Sequence, residues 1–138
     1  MIAYCSATGT KSTIAALRAA RWRLLVVATG HDKNNGLPYA LDNGAWSAHV
    51  NGRPFNVDKF ERLLAWSASC PISPDWCVLP DIVGGGLKSL DFSLNWLETV
   101  SKYTKLSLLA VQDGMTPHDV PAEASVIFVG GTTSWKWR

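Results

Sequence analysis

Short uninterrupted apolar runs alternate along the chain with stretches whose apolar residues recur every three or four positions. The runs at residues 2–9, 23–30, 39–42, 75–81, 106–112 and 125–131 read as strands. Between the first two, "TKSTIAALRAARW" sets Ile14, Leu17 and Arg18 at helical spacing, with Thr10 or Ser12 as the N-cap. Residues 56–68 place Phe60, Leu63, Leu64 and Ser67 on one helical face, behind Asn56 as cap. Residues 89–103 carry Leu90, Leu94, Leu97 and Val100 at spacings of four and three. Continuous apolar strands interleaved with helices predict an α/β domain with a parallel sheet covered on both faces. Right-handed crossovers leave two architectures, an open doubly wound sheet or a (β/α) barrel.

The polar residues gather directly behind the strands. Gly30, His31 and Asp32 follow the second; Asp42, Asn43 and Gly44 the third; Asp81 and Gly84-Gly85-Gly86 the fourth; Gln112, Asp113 and Gly114 the fifth; Gly130 and Gly131 the sixth. Strand C-termini of a parallel sheet share one edge, so these residues are expected to converge on one mouth, where such folds place their sites. Turns also favour Gly and Asp, and Asn43-Gly44 between apolar runs is equally a hairpin signal. The hairpin lacks a partner strand, because the chain after Trp46 is polar and then helical. Trp46 itself reads first as a core residue and second as a platform for a stacked base. "DIVGGGLKS" matches neither dinucleotide nor P-loop spacing and reads as a flexible turn before a helix.

Composition narrows the picture modestly. The 138 residues suit one domain, residues 1–138, with a real core, and 17% charged residues exclude a disordered tail. A net charge of +2 does not argue nucleic-acid binding by itself. Three cysteines without CxxC spacing and three unpaired histidines predict no structural metal and a reduced, cytoplasmic setting. No leader-like segment or membrane-length apolar run is present in the sequence.

Taken together, "ALDNGAW", "VLPDIVGGG", "LLAVQDG" and "IFVGG" resemble, in order and rough spacing, the tRNA-guanine transglycosylase superfamily. The nearer likeness is to its phage and bacterial branch, the relatives of DNA 7-deazaguanine-inserting enzymes, which the "FVGGTTSWKW" ending particularly resembles. The resemblance implies a (β/α) barrel that exchanges guanine for a 7-deazaguanine in nucleic acid, with no organic cofactor. It implies Asp42 as general acid/base, Asp81 and Gln112 as readers of the base edge, and Gly130 and Gly131 as pocket-lining backbone. Asn43 stands where the family has Ser, Ala45 where the transfer-RNA enzymes have Gly, and Asp113 where a glycine is usual. The pairing is chemically apt: a carboxylate accepts from guanine's ring N–H and amine, and an amide donates to its carbonyl.

A full barrel needs about 250 residues, and at most six strands are present here, so a partial barrel is expected. The family's nucleophilic aspartate and zinc-binding cysteines have no counterparts, and "GGTTSWKWR" reads as a strand end, a Thr/Ser cap and a first helical turn. Three functions remain open at this point. The chain is an enzyme half completed by a second chain or by another copy, acting on guanine in DNA or RNA. Alternatively it is a module that binds a guanine-type base or nucleotide around Asp81, Gln112, Asn43 and Gly44, without catalysis. Or it is a phage-encoded inhibitor of a host defence protein, touching its partner through Trp135, Lys136, Trp137 and Arg138. Trp46, Lys136 and Arg138 are the weaker nucleic-acid contacts.

Overall fold

A computed structural model describes residues 1–28, 33–124 and 126–137; Gly30, His31, Asp32 and Arg138 lie outside the described residues. Six strands run Tyr4–Ser6 (β1), Arg23–Val27 (β2), Tyr39–Asp42 (β3), Cys77–Val78 (β4), Ser107–Val111 (β5) and Val126–Val129 (β6). The helices among them are Lys11–Ala19 (α1), Ala45–Val50 (α2), Val57–Ala68 (α3), Leu87–Ser101 (α4) and Thr133–Lys136 (α5). All strand pairs are parallel, and the spatial order is β1-β2-β3-β4-β5-β6.

That order decides between the two architectures. A doubly wound sheet reverses its strand order to place helices on both faces. Here the order never reverses, and right-handed crossovers then carry the helices to the same side. The core agrees. Leu24 and Val26, Tyr39 and Leu41, Cys77 and Leu79, and Leu109 are in matching register. They pack with Ile14 and Leu17 of α1, Phe60, Leu63 and Leu64 of α3, and Val100 of α4. The intervening strand residues point the other way, as the two-residue strand period requires, and Val78, Leu108 and Ala110 form a separate small cluster with Trp76 and Val126. The expected covering of both faces is therefore corrected. The sheet is an open, singly wound α/β sheet compatible with a partial barrel, with α1, α3 and α4 packed on one face and the smaller buried cluster on the other.

Local sequence explains where the elements start and stop. Asn56 caps α3, its Oδ1 accepting from Lys59 N at 2.9 Å, and the face Phe60, Leu63, Leu64 and Ser67 is buried as the spacing requires. Asn56→Ala is expected to cost about 1 kcal/mol of folding free energy, read from urea denaturation, because one helical N–H loses its acceptor. In α4 the buried face is rotated from the expected leucine stripe: Ser89, Ser93 and Val100 are deepest, while Leu90 and Leu97 only flank the core. The cause is polar. Ser93 Oγ donates to Pro80 O at 2.8 Å, and Ser89 Oγ accepts from Ile82 N at 2.9 Å, so both hydroxyls are drawn under the loop after β4.

The two ends of the sheet differ in character. At the N-terminal edge, Arg23 Nη1 donates to Asp75 Oδ1 at 2.5 Å and Tyr4 Oη to Asp75 Oδ2 at 3.0 Å. This ties β1 and β2 to the chain entering β4. Asp75 thus has a structural part, joining three segments of the chain. No helix among the described residues is long and apolar enough to cross a membrane.

Candidate functional site

At the C-terminal edge, β3 ends in two successive side-chain-to-backbone turns. Asp42 Oδ1 accepts from Gly44 N at 2.7 Å, and Asn43 Oδ1 accepts from Ala45 N at 2.8 Å. Both are the local bonds that Asp and Asn favour over continuing a strand. Gly44 takes φ +79° at the start of α2, a left-handed conformation that a residue with a Cβ adopts only at a cost. The Asn-Gly pair therefore opens a helix, and the hairpin alternative is excluded. The six-residue helix α2 is itself too short to be recognised by periodicity.

Asp81, behind β4, is held by two side-chain amides. Asn43 Nδ2 donates to Asp81 Oδ1 at 2.7 Å and to Leu79 O at 2.6 Å. Gln112 Nε2 donates to Asp81 Oδ2 at 2.7 Å and to Ser89 Oγ at 3.1 Å, while its Oε1 accepts from Gly85 N at 3.2 Å. An amide nitrogen has two hydrogens, so Asn43 and Gln112 have committed all of theirs inside the protein. Both side chains are almost fully buried. They act on Asp81, not outward: each carboxylate oxygen is pinned by one amide and keeps a lone pair directed elsewhere. In this arrangement Gln112 has no hydrogen to spare for a carbonyl on a bound base.

The electrostatics follow. Burial pushes the Asp81 carboxyl above the ordinary carboxylate range; the Asn43 bond opposes this, the nearby Asp42 charge adds to it, and the Gln112 bond opposes it. Among the described residues no cation pairs with Asp81. When ionised, Asp81 is a partly buried anion neutralised only by amide dipoles, so a ligand offering N–H donors relieves a real desolvation cost.

Asp81 lines a cavity of about 800 Å³ that also takes in residues of the smaller cluster's face and of the strand C-termini. Its floor is apolar, with Leu25, Trp76, Val78, Ala110 and Phe128, and Asp42, Asn43, Gln112, Gly130 and Gly131 stand at the strand ends above it. The convergence expected of the strand-end residues is thus present for β3 to β6. Trp46 and His49, one helical turn apart on α2, form an aromatic pair at the rim with centroids 5.9 Å apart and planes 30° apart. Trp46 is 66% exposed, which overturns its expected role in the core. Residues 29–32 are not described, so the contribution of Gly30, His31 and Asp32 lies outside the picture.

The last strand carries its glycines for packing reasons. Gly131 has φ +76°, and a Cβ there would sit 2.5 Å from Asp113 Oδ2 and 2.8 Å from Trp135. Asp113 uses that space to accept from Thr132 N at 2.7 Å and from Thr132 Oγ1 at 2.5 Å. These bonds hold its carboxyl below the usual range and sit at the start of α5, which begins at Thr133; Thr132 occupies the expected cap position, but its hydroxyl bonds Asp113 and does not cap the helix. Gly130 N donates to Val111 O at 2.9 Å, so its N–H is also engaged within the sheet. Lys136 reaches the cavity rim from α5. Among the described residues, no three His, Cys, Asp or Glu side chains come together as a metal site.

Two members of the site were not anticipated. Ser89 joins Gln112 to the loop after β4, and Ser93 pins Pro80 beneath it. Their signal in the sequence was a pair of serines four residues apart on the helix face that also carries Val100. No family model, curated protein or solved structure matches this chain.

Proposed function

We propose that the chain recognises a guanine-type base, guanine or a 7-deazaguanine, in the cavity in front of Asp81. The observation that carries this reading is the clamped, unpaired carboxylate of Asp81 above an apolar and aromatic floor. Guanine presents a ring N–H and an amine side by side, which matches a carboxylate whose two oxygens each keep a free lone pair. Adenine presents a ring acceptor at that edge, which an anion repels. A flat ring fits over Trp76, Val78 and Phe128, and Trp46 at the rim offers a stacking face worth about 1–3 kcal/mol.

Asp42 is the candidate proton-transfer group. Its Oδ1 is used by Gly44 N, and its side chain lines the same cavity, leaving Oδ2 for a ligand. Base exchange also requires a nucleophile, supplied by a second chain or another copy; base recognition by itself needs only the groups described. Calorimetric titration with guanine, 7-deazaguanine and adenine tests the reading. Guanine and 7-deazaguanine, which share the edge facing Asp81, are expected to bind alike and about 100-fold more tightly than adenine. Equal affinity for adenine would sink it.

A further inference from the structure

A second cleft lies on the other side of the Asn43-Gly44 turn. Its volume is about 370 Å³, and its lining includes Ser47, Asn51, Arg53, Phe55 and Lys59, with Val27 at its base. We propose that this cleft is a phosphate subsite, where Arg53 and Lys59 hold a phosphate attached to the ligand whose base faces Asp81. The proposal rests on the base-binding reading above and names the part of the ligand that lies beyond the base.

Three observations carry it. The first is the segregation of charge between two adjoining cavities. The larger is lined by Asp42, Asp81 and Asp113 against the single cation Lys136. The smaller has Arg53 and Lys59 and no Asp or Glu in its lining. A phosphate is repelled by the first and attracted by the second, and the apolar walls Val27 and Phe55 strengthen that attraction by lowering the local dielectric. The second is that these cations are uncommitted: among the described residues the ion pairs are Arg23 with Asp75 and Lys102 with Glu98, neither involving this cleft. The third is the crest between the cavities. Asn43 and Gly44 line both, so the boundary is a bare backbone turn. Gly44 puts no side chain on this boundary, and a Cβ there would lie 3.3 Å from Val27 Cγ2, a residue lining the smaller cleft. Arg supplies a planar fork for two phosphate oxygens and Lys a mobile point charge.

The phosphate has two sources, the ligand's own monoester or a neighbouring diester in a strand. Guanine, guanosine monophosphate and a short guanine-containing single-stranded oligonucleotide, titrated against the full chain, separate them. In Arg53→Ala/Lys59→Ala, affinity for at least one phosphate-bearing ligand is expected to fall tenfold or more, with weaker salt dependence, while guanine affinity stays unchanged. Loss for the monophosphate assigns the ligand's own phosphate, and loss for the oligonucleotide alone assigns a neighbouring one. Both replaced residues are exposed, and an unchanged melting temperature verifies the fold. Lys105→Ala, at the opposite edge of the sheet, controls for net charge. Unchanged affinity for both phosphate ligands in the double variant, or an equal loss in Lys105→Ala, would overturn the subsite. Failure of the base reading looks different: Asp81→Asn would then leave guanine and monophosphate binding intact, while the double variant still weakens the monophosphate.

Discussion

Asp81→Asn is expected to lower guanine affinity about 100-fold or more, close to 2.7 kcal/mol, while leaving the chain folded. The substitution keeps the shape of the side chain and removes the charge. It also turns one acceptor into a donor that faces the ring N–H and amine of the base. Charge-assisted hydrogen bonds contribute about 1.5–3 kcal/mol each; one is lost and the other is left without its charge. The fold loses one internal bond, because the new amide nitrogen faces the donor Asn43 Nδ2 or Gln112 Nε2, but it is also relieved of a charge. Ionised Asp81 is partly desolvated and its carboxyl is raised, chiefly by burial, so the charge itself is a burden on the native state at neutral pH. A raised folded pKa means the native chain binds more protons than the unfolded one, so this group's stabilising contribution is full below the ordinary carboxylate pKa of about 3.9 and is lost as pH rises through the raised folded value. Ligand binding runs the opposite way. The base needs the carboxylate, so affinity is full above the raised pKa of Asp81 and declines as pH falls through it. In Asp81→Asn that decline is expected to vanish along with the tight binding, whereas a pH profile identical to that of the unchanged chain would remove Asp81 from the site.

The fold was legible to the extent that apolar periodicity controls it. The face of α3 with Phe60, Leu63, Leu64 and Ser67 follows from spacing alone, because a buried helix face has no other way to be encoded. Strand order was not legible, since the same alternation of elements serves sheets with helices on one face or two. Register, set by pairs such as Leu24 with Tyr39 and Leu41 with Cys77, settles it only in three dimensions. Residues 75–81 read as a full strand, yet only Cys77–Val78 is a ladder, because Pro80 has no N–H to give and Asp81 turns toward Asn43. At the site, the positions of Asp42, Asp81 and Gln112 behind their strands foretold convergence. Their division of labour was hidden, because whether an amide faces a ligand or a neighbour depends on partners 31 and 38 residues distant. Trp46 shows the same limit: nothing in its neighbours' identities distinguishes a rim tryptophan from a buried one.

Gln112→Ala is expected to cost about 3 kcal/mol of folding free energy, and to weaken guanine binding without Gln112 touching the base. The stability loss has identifiable parts. Gln112 is buried with 2% exposure, so its removal leaves a void and strips partners from Asp81 Oδ2, Ser89 Oγ and Gly85 N at once. Because the bond from Gln112 lowers the Asp81 pKa, its loss drives that already raised value further up. The variant's affinity-against-pH curve should therefore move to higher pH, with affinity recovering toward the plateau when the solution is made more alkaline. That recovery separates positioning from direct contact. If Gln112 read the carbonyl of the base itself, the loss would be the same at every pH and the midpoint would not move. A double-mutant cycle with Ser89→Ala, measured by urea denaturation, closes the test. The two side chains share one hydrogen bond, so their effects should fall short of additivity by about 0.5–1.5 kcal/mol. Strict additivity would mean that the network joining α4, β5 and Asp81 does not act as a unit.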